Sequence, residues 1–240
     1  KNLELCISKV KETKADLGIA FDGDADRIGV IDAHGDILWG DKLMILLSRA
    51  VLKDVPGAAI VGEVKCSFTM YDDIAKHGGK PIMWKAGHSL IKAKMKETHA
   101  ALAGEMSGHI FYKHRFFGFD DAPYTAARLL EILSNEKQTL TELLADVPVT
   151  YSSPELRVDT VEEKKFALVA RCTEKLKAKG LELVTVDGVR AVWSDGWGLI
   201  RASNTTPILV VRYEAKTKER LKEIQSLIDG TITEAKAELG

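Results

Sequence analysis

The residue pattern predicts a layered α/β unit followed by a separate α+β domain. Three observations carry this expectation. Short apolar runs alternate with amphipathic stretches up to about residue 150. A proline- and serine-containing stretch, DVPVTYSSP (146–154), then interrupts the alternation and reads as a linker. Beyond it, several strand-like runs lie together between two long helical patterns.

The elements follow in order. KNLELCISKV has the character of a helix interior, so the chain is expected to begin inside an element, as a fragment. LGIAF (17–21) and IGVID (28–32) read as strands around a polar loop. DKLMILLSRAVLKDV (41–55) has helical spacing, with Asp41 the expected N-cap. AAIVGEV (58–64) is a buried strand, and SFTMYDDIAKHG (67–78) a helix running from Ser67 to a terminal glycine. KPIMWK (80–85) is a strand and SLIKAKMKETH (89–99) a basic helix. ALAGE (101–105) and HIFYK (109–113) are strands, DDAPYTAARLLEILSN (120–135) a strong helix and TLTELLAD (139–146) a weaker one. After the linker come the strand ELRVD, the helix VEEKKFALVARCTEKLKAKG, strands between Leu183 and Glu214, and the closing helix TKERLKEIQSLIDGTITEAKAEL.

Composition narrows the function. The 240 residues suit one or two units of ordinary size. With 45% hydrophobic and 29% charged residues, neither disorder nor a fibrous repeat is expected. The net charge of −1 provides no global basic field, so no nucleic-acid partner is expected and any anion must be held by local clusters. Cys6, Cys66 and Cys172 form no CxxC pair and no disulfide framework, which suits a reducing, cytoplasmic compartment. No apolar run approaches the roughly 20 residues that span a bilayer, so no membrane partner is expected.

The sharpest chemical signal is FDGDADR (21–27), directly after a strand. In a straight strand Asp22, Asp24 and Asp26 would share a side but span roughly 13 Å. Gathering them around one Mg²⁺, which wants oxygens at about 2.0–2.1 Å, requires the chain to curl, a motion Gly23 eases. Arg27 stands beside them to balance the remaining negative charge. An EF-hand fails here, because its glycine and glutamate positions hold Arg27 and Ala33. A haloacid-dehalogenase-type DxDx[TV] loop matches imperfectly, with Asp26 in fifth place and Asp120–Asp121 as a distal acidic pair.

Two further clusters carry chemistry. In GEMSGHIFY (104–112), Glu105, Ser107 and His109 offer an acceptor, a hydroxyl and a proton shuttle, a set suited to sugar hydroxyls. KAGHS (85–89) adds His88 at a helix start, where anions are favoured, and Lys65 ends the buried strand before it. In RASNTTPILVVRYEA (201–215), Arg201 and Arg212 bracket Ser203, Asn204, Thr205 and Thr206, a phosphate cradle without a Walker sequence. A metal, a polyol and a phosphate together point to phosphoryl chemistry on a sugar.

DGDADR, KAGHS, GEMSGH and RASNTTP resemble, in order and approximate spacing, the motifs of the α-D-phosphohexomutases, and within them the bacterial phosphomannomutase/phosphoglucomutase branch. The resemblance implies a mixed-sheet α/β domain at 37–148, domain 3-like. It implies that the end of a similar α/β domain precedes this at 1–36 and that a separate α+β domain follows at 149–240. It implies Mg²⁺ on Asp22, Asp24 and Asp26, with Arg27 beside the transferring phosphoryl group and His109 assisting proton transfer. Glu105 and Ser107 would bind sugar hydroxyls, with Lys65 and His88 lining the cleft. Arg201, Ser203, Asn204 and Thr205 would hold the non-reacting phosphate, supported by Arg212. Substrates would be mannose or glucose 1- and 6-phosphates, passing through a 1,6-bisphosphate. The family's nucleophilic phosphoserine sits in an S-H-N-P loop that this sequence lacks. The chain alone is therefore expected to be inactive and to need the N-terminal domains of the same enzyme. Two other readings are a stand-alone sugar-phosphate-binding module and a haloacid-dehalogenase-like phosphatase.

Overall fold

The structure is a computed structural model that describes residues 2–239; Lys1 and Gly240, which begin the first and end the last expected domain, lie outside the described residues. The chain divides into two compact units, Lys1–Val147 and Pro148–Gly240.

The first unit opens with α1 (Glu4–Thr13), β1 (Leu17–Phe21), β2 (Ile28–Asp32) and β3 (Ile37–Leu38). These strands form an antiparallel sheet in the order β1-β2-β3, with Phe21 opposite Ile28 where the hairpin turns. The alternation chapter follows: α2 (Gly40–Asp54), β4 (Ala59–Glu63), α3 (Phe68–Lys76), β5 (Lys80–Trp84), α4 (His88–Thr98), β6 (Leu102–Gly104), β7 (Ile110–Tyr112), α5 (Ala122–Ser134) and α6 (Leu140–Leu143). The sheet order is β5-β4-β6-β7, with the first three strands parallel and β7 antiparallel.

Central β4 explains the layers. Ile60 belongs to the core that includes Leu43, Leu47, Met70 and Ile74 of α2 and α3, whereas its neighbour Val61 belongs to the one that includes Ile91 and Met95 of α4. Both faces are covered, which is why β4 reads as a continuous apolar run. The loops that leave β4, β5 and β6 all emerge at the carboxyl edge of the parallel strands, where open α/β sheets bind ligands.

One local expectation is corrected here. Trp39, not Asp41, precedes the first turn of α2, because its extended backbone (φ −64°, ψ 156°) leads into Gly40. Asp41 is buried within that turn and accepts the Ser67 N–H at 2.9 Å. Ser67 does cap α3, accepting the Thr69 N–H at 3.1 Å, and Asp121 caps α5 through the Tyr124 N–H at 2.7 Å. Arg49 of α2 binds Asp73 at 2.5 Å and Asp146 at 2.9 Å, and so fastens the end of this unit to its core.

The second unit contains β8 (Tyr151–Ser152), β9 (Leu156–Asp159), α7 (Lys165–Ala178), β10 (Glu182–Val184), β11 (Val189–Trp193), β12 (Gly196–Ala202), β13 (Ile208–Ala215) and α8 (Lys218–Leu239). The sheet is antiparallel in the order β10-β11-β12-β13-β8, with β9 also paired to β13. Ile200, Val211 and Tyr213 face Leu168 and Cys172 of α7 and Ile224 and Ile228 of α8. Strand alternation sends Arg190, Trp197, Arg201, Arg212 and Glu214 to the opposite face. The stretch expected to be wholly linker is not: Tyr151 and Ser152 pair with Ala215 and Glu214. Among the described residues, no helix is long and apolar enough to cross a membrane.

Candidate active site

The aspartate loop closes the β1–β2 hairpin. It curls through a turn in which the Ala25 N–H reaches the Asp22 carbonyl at 3.2 Å, and Ala25 itself takes the left-handed conformation at φ +58°. Gly23, expected to ease the curl, has no positive φ. One carboxylate oxygen from each of Asp22, Asp24 and Asp26 lies within 4.8 Å of the others. Asp22 accepts the Arg27 N–H at 3.1 Å and its Nε at 2.5 Å, while Arg27 Nε stands 3.7 Å from Asp26.

The electrostatics are those of a site with surplus negative charge. Burial pushes the Asp26 carboxyl above the usual range; His109 opposes this, while Asp22 and Asp24 add to it. For Asp22 burial also pushes upward, but the backbone and side-chain hydrogen bonds from Arg27 outweigh it and hold the carboxyl low. Asp26 Oδ1 is buried without a hydrogen-bond partner. Three convergent carboxylates and an orphaned buried oxygen fit a hard divalent cation.

The GEMSGH loop is fastened to the aspartate loop by backbone. Ile28 N–H donates to the Gly108 carbonyl at 3.1 Å, and Arg27 bridges His109. Gly40 N–H donates to the Met106 carbonyl at 3.3 Å, and a Cβ on Gly40 would lie 2.2 Å from the Glu105 carbonyl oxygen, so only glycine fits there. His109 Nδ1 stands 3.0 Å from Asp120 Oδ2 and 3.6 Å from Asp26 Oδ2. Its ring lies 6.1 Å from that of His88, so two motifs separate in sequence meet here. Glu105 is buried and accepts the Gly87 N–H at 2.7 Å and the Ser107 hydroxyl at 3.1 Å, which ties the GEMSGH loop to the KAGHS turn. A cavity of about 350 Å³ beside these loops is lined by Asp22, Arg27, Trp39, Met106 and Ser107 among others. A larger groove of about 640 Å³, lined by Arg49, His77 and Glu142 among others, contains none of the chemical motifs, and we assign no chemistry to it.

Sequence reasoning gave no site role to Glu63, and considered Asp120 only as half of a distal acidic pair in the phosphatase reading. Asp120 accepts Lys92 Nζ at 3.2 Å as well as facing His109. Burial alone would push its carboxyl up, but its own backbone N–H, Lys92 and His109 outweigh that and hold it below the usual carboxylate range. A depressed folded pKa stabilises the fold above the unfolded value and is lost as pH falls through the folded one. Asp120→Asn is therefore expected to lose less stability than the parent below about pH 4. Urea midpoints measured against pH check this, and parallel acid limbs would contradict it. Its signal in sequence was its place just before the Asp121 cap.

Lys65 follows β4 in the first unit, and Arg201, Ser203, Asn204, Thr205 and Arg212 lie in the second. Arg201 is buried and its Nε donates to Asp187 at 3.0 Å. The Ser203 hydroxyl accepts the N–H groups of Thr205 and Thr206 at 3.3 and 3.2 Å, which folds the β12–β13 turn back on itself. Asn204 and Thr205 are exposed at its tip. Arg190 and Arg212 lie over the Trp197 ring, at 3.8 and 5.8 Å from its centroid, and Trp197 Nε1 donates to Glu214 at 2.7 Å.

Comparisons with known proteins agree along the chain. Three family models match: phosphoglucomutase/phosphomannomutase alpha/beta/alpha domain II over residues 1–35, alpha/beta/alpha domain III over 39–151 and the C-terminal domain over 155–230. The phosphomannomutase/phosphoglucomutase of Pseudomonas syringae pv. tomato is 48% identical over 239 residues, covering 100% of this chain and 51% of that protein. The phosphoglucomutase of Neisseria gonorrhoeae is 44% identical, covering 97% of this chain and 51% of its own length. A crystal structure of a phosphoglucomutase/phosphomannomutase family protein from Burkholderia thailandensis superposes with a TM-score of 0.91 at 44% identity, covering 98% of this chain and 50% of that one. The chain thus spans about half the length of the curated relatives it matches.

Proposed function

Since the chain belongs to the phosphoglucomutase/phosphomannomutase family, we propose that it furnishes the metal, sugar and phosphate sites of a phosphohexomutase interconverting the 1- and 6-phosphates of mannose or glucose. The backbone clasp from Ile28 to Gly108 supports this most, because it holds the aspartate trio and His109 in one constellation.

Phosphoryl would pass from a phosphoserine not found in this chain to a sugar hydroxyl, and the resulting bisphosphate would return its other phosphoryl group. Asp22, Asp24 and Asp26 would hold Mg²⁺, which when bound neutralises charge on phosphoryl oxygens. Arg27, now on Asp22, would add positive charge beside the transferring group. Asp120 holds His109 at Nδ1, leaving the Nε2 lone pair to take the proton of the attacking hydroxyl. Glu105 and Ser107 would accept from and donate to the sugar, with Lys65 and His88 lining its cleft. Arg201, Ser203, Asn204 and Thr205 would grip the non-reacting phosphate, with Arg212 behind them.

A coupled mutase assay on glucose 1-phosphate tests the reading. The chain alone should be silent, and adding an N-terminal portion that carries the serine loop should restore turnover. Robust turnover without it would overturn the assignment. Phosphate release dependent on Asp22 would instead favour the phosphatase, a reading that the family match does not support.

Two expectations follow on binding. Lacking a phosphoserine oxygen, the aspartate trio should bind Mg²⁺ weakly, with water completing its shell. Calorimetry showing a tight ion would contradict this. Arg201→Ala should weaken glucose 1-phosphate binding about 100-fold, the worth of a lost bidentate charge-assisted contact. An unchanged isotherm would remove Arg201 from the cradle.

A further inference from the structure

We propose that Glu63 is a positioning residue for the sugar phosphate, setting the Lys65 turn and the GEMSGH loop around one carboxylate. The inference rests on the function proposed above and deepens it. Glu63 is the last residue of β4 and wholly buried, at 0% exposure. A carboxylate is rarely so buried unless it is paired and hydrogen-bonded. Its Oε2 accepts the Lys65 N–H at 2.7 Å. Its Oε1 accepts the Met106 N–H at 3.4 Å and lies 3.9 Å from Lys65 Nζ. The backbone of Glu63 is equally engaged, because its carbonyl accepts the Tyr71 hydroxyl at 2.8 Å and the Cys66 N–H at 2.9 Å. Burial pushes the carboxyl up, Lys65 opposes that push, and Glu105 adds to it, so Glu63 senses charge from both loops.

The chemistry at position 63 is a demand for two acceptor ends. The two N–H groups come from loops that are separate in sequence and that both supply sugar-site residues, Lys65 on one side, Glu105 and Ser107 on the other. Glutamine has the same volume but only one acceptor, so its amide would turn an N–H toward a backbone N–H. Aspartate keeps both acceptors and loses reach. A role in filling space would rank glutamine above aspartate, whereas a role in positioning ranks aspartate above glutamine. Holding a cation and two sugar-facing groups in fixed relation before the ligand arrives is pre-organisation, which spares ordering entropy on binding.

The test is calorimetry of glucose 1-phosphate with Mg²⁺ on the 240-residue chain and its Glu63→Gln and Glu63→Asp variants, with amide hydrogen exchange on each. We expect Glu63→Gln to weaken binding about tenfold and Glu63→Asp about threefold at most, with faster exchange at Lys65 and Met106. Parent-like affinity in Glu63→Gln, or a weaker Glu63→Asp, overturns the proposal. If the parent chain itself does not bind glucose 1-phosphate, the functional reading falls, and exchange in the free chain decides this one: unchanged protection at both amides overturns it. Should Glu63→Gln not fold, Glu63→Asp carries the same exchange criterion.

Discussion

Replacing Gly108 by alanine is expected to destabilise the first unit by about 3 kcal/mol and to disable the site with it. Gly108 has φ +98°, where an L side chain is strained by about 1–3 kcal/mol. A Cβ there would also lie 2.4 Å from the Ile28 carbonyl oxygen. That oxygen cannot retreat cheaply, because Ile28 N–H is held by the Gly108 carbonyl at 3.1 Å and Gly108 N–H by the Glu105 carbonyl at 3.1 Å. Ile28 directly follows Arg27, so the aspartate loop should shift and Mg²⁺ affinity should fall together with stability. Gly23→Ala is the control: no atom lies within 4 Å of its Cβ, so stability should move by less than about 0.5 kcal/mol. Urea unfolding of both variants checks the pair. A Gly108→Ala chain that unfolds at the parent midpoint would show that the clasp does not constrain the site.

His109→Ala is expected to lower kcat about 1,000-fold in the complemented assay, with KM changing far less. The imidazole is held rather than free: Nδ1 sits 3.0 Å from Asp120, which Lys92 fixes in turn at 3.2 Å. A carboxylate in that position selects the tautomer with Nε2 as base. Alanine deletes the base while leaving Asp120 paired with Lys92, so the fold should survive. Asp120→Asn should fall between parent and alanine variant, because the imidazole remains but its tautomer is no longer imposed. A His109→Ala enzyme turning over within tenfold of the parent would assign proton transfer to another group.

Local signals account for much of what was legible. Ser67 and Asp121 are cap residues followed by helical spacing, and both cap. Asp41 has the same chemistry, yet a hydrogen bond from Ser67, distant in sequence, drew it into the first turn. The two-residue strands β3 and β8 are too short for alternation to register. Which residue turns the aspartate loop depended on the Phe21–Ile28 register, and the turn fell on Ala25 rather than Gly23. Glu63 read only as part of the buried strand AAIVGEV, because its partners lie in two loops that sequence spacing cannot join.

The amino-acid order alone set the kind and succession of elements and the residue types in each motif, because periodicity, caps and short turns act over a few neighbouring residues. Which motifs meet, and which carboxylates are sealed from water, emerged only with folding. Those outcomes depend on strand order in the sheet and on single hydrogen bonds between distant loops, such as Ile28 to Gly108 and Glu63 to Met106.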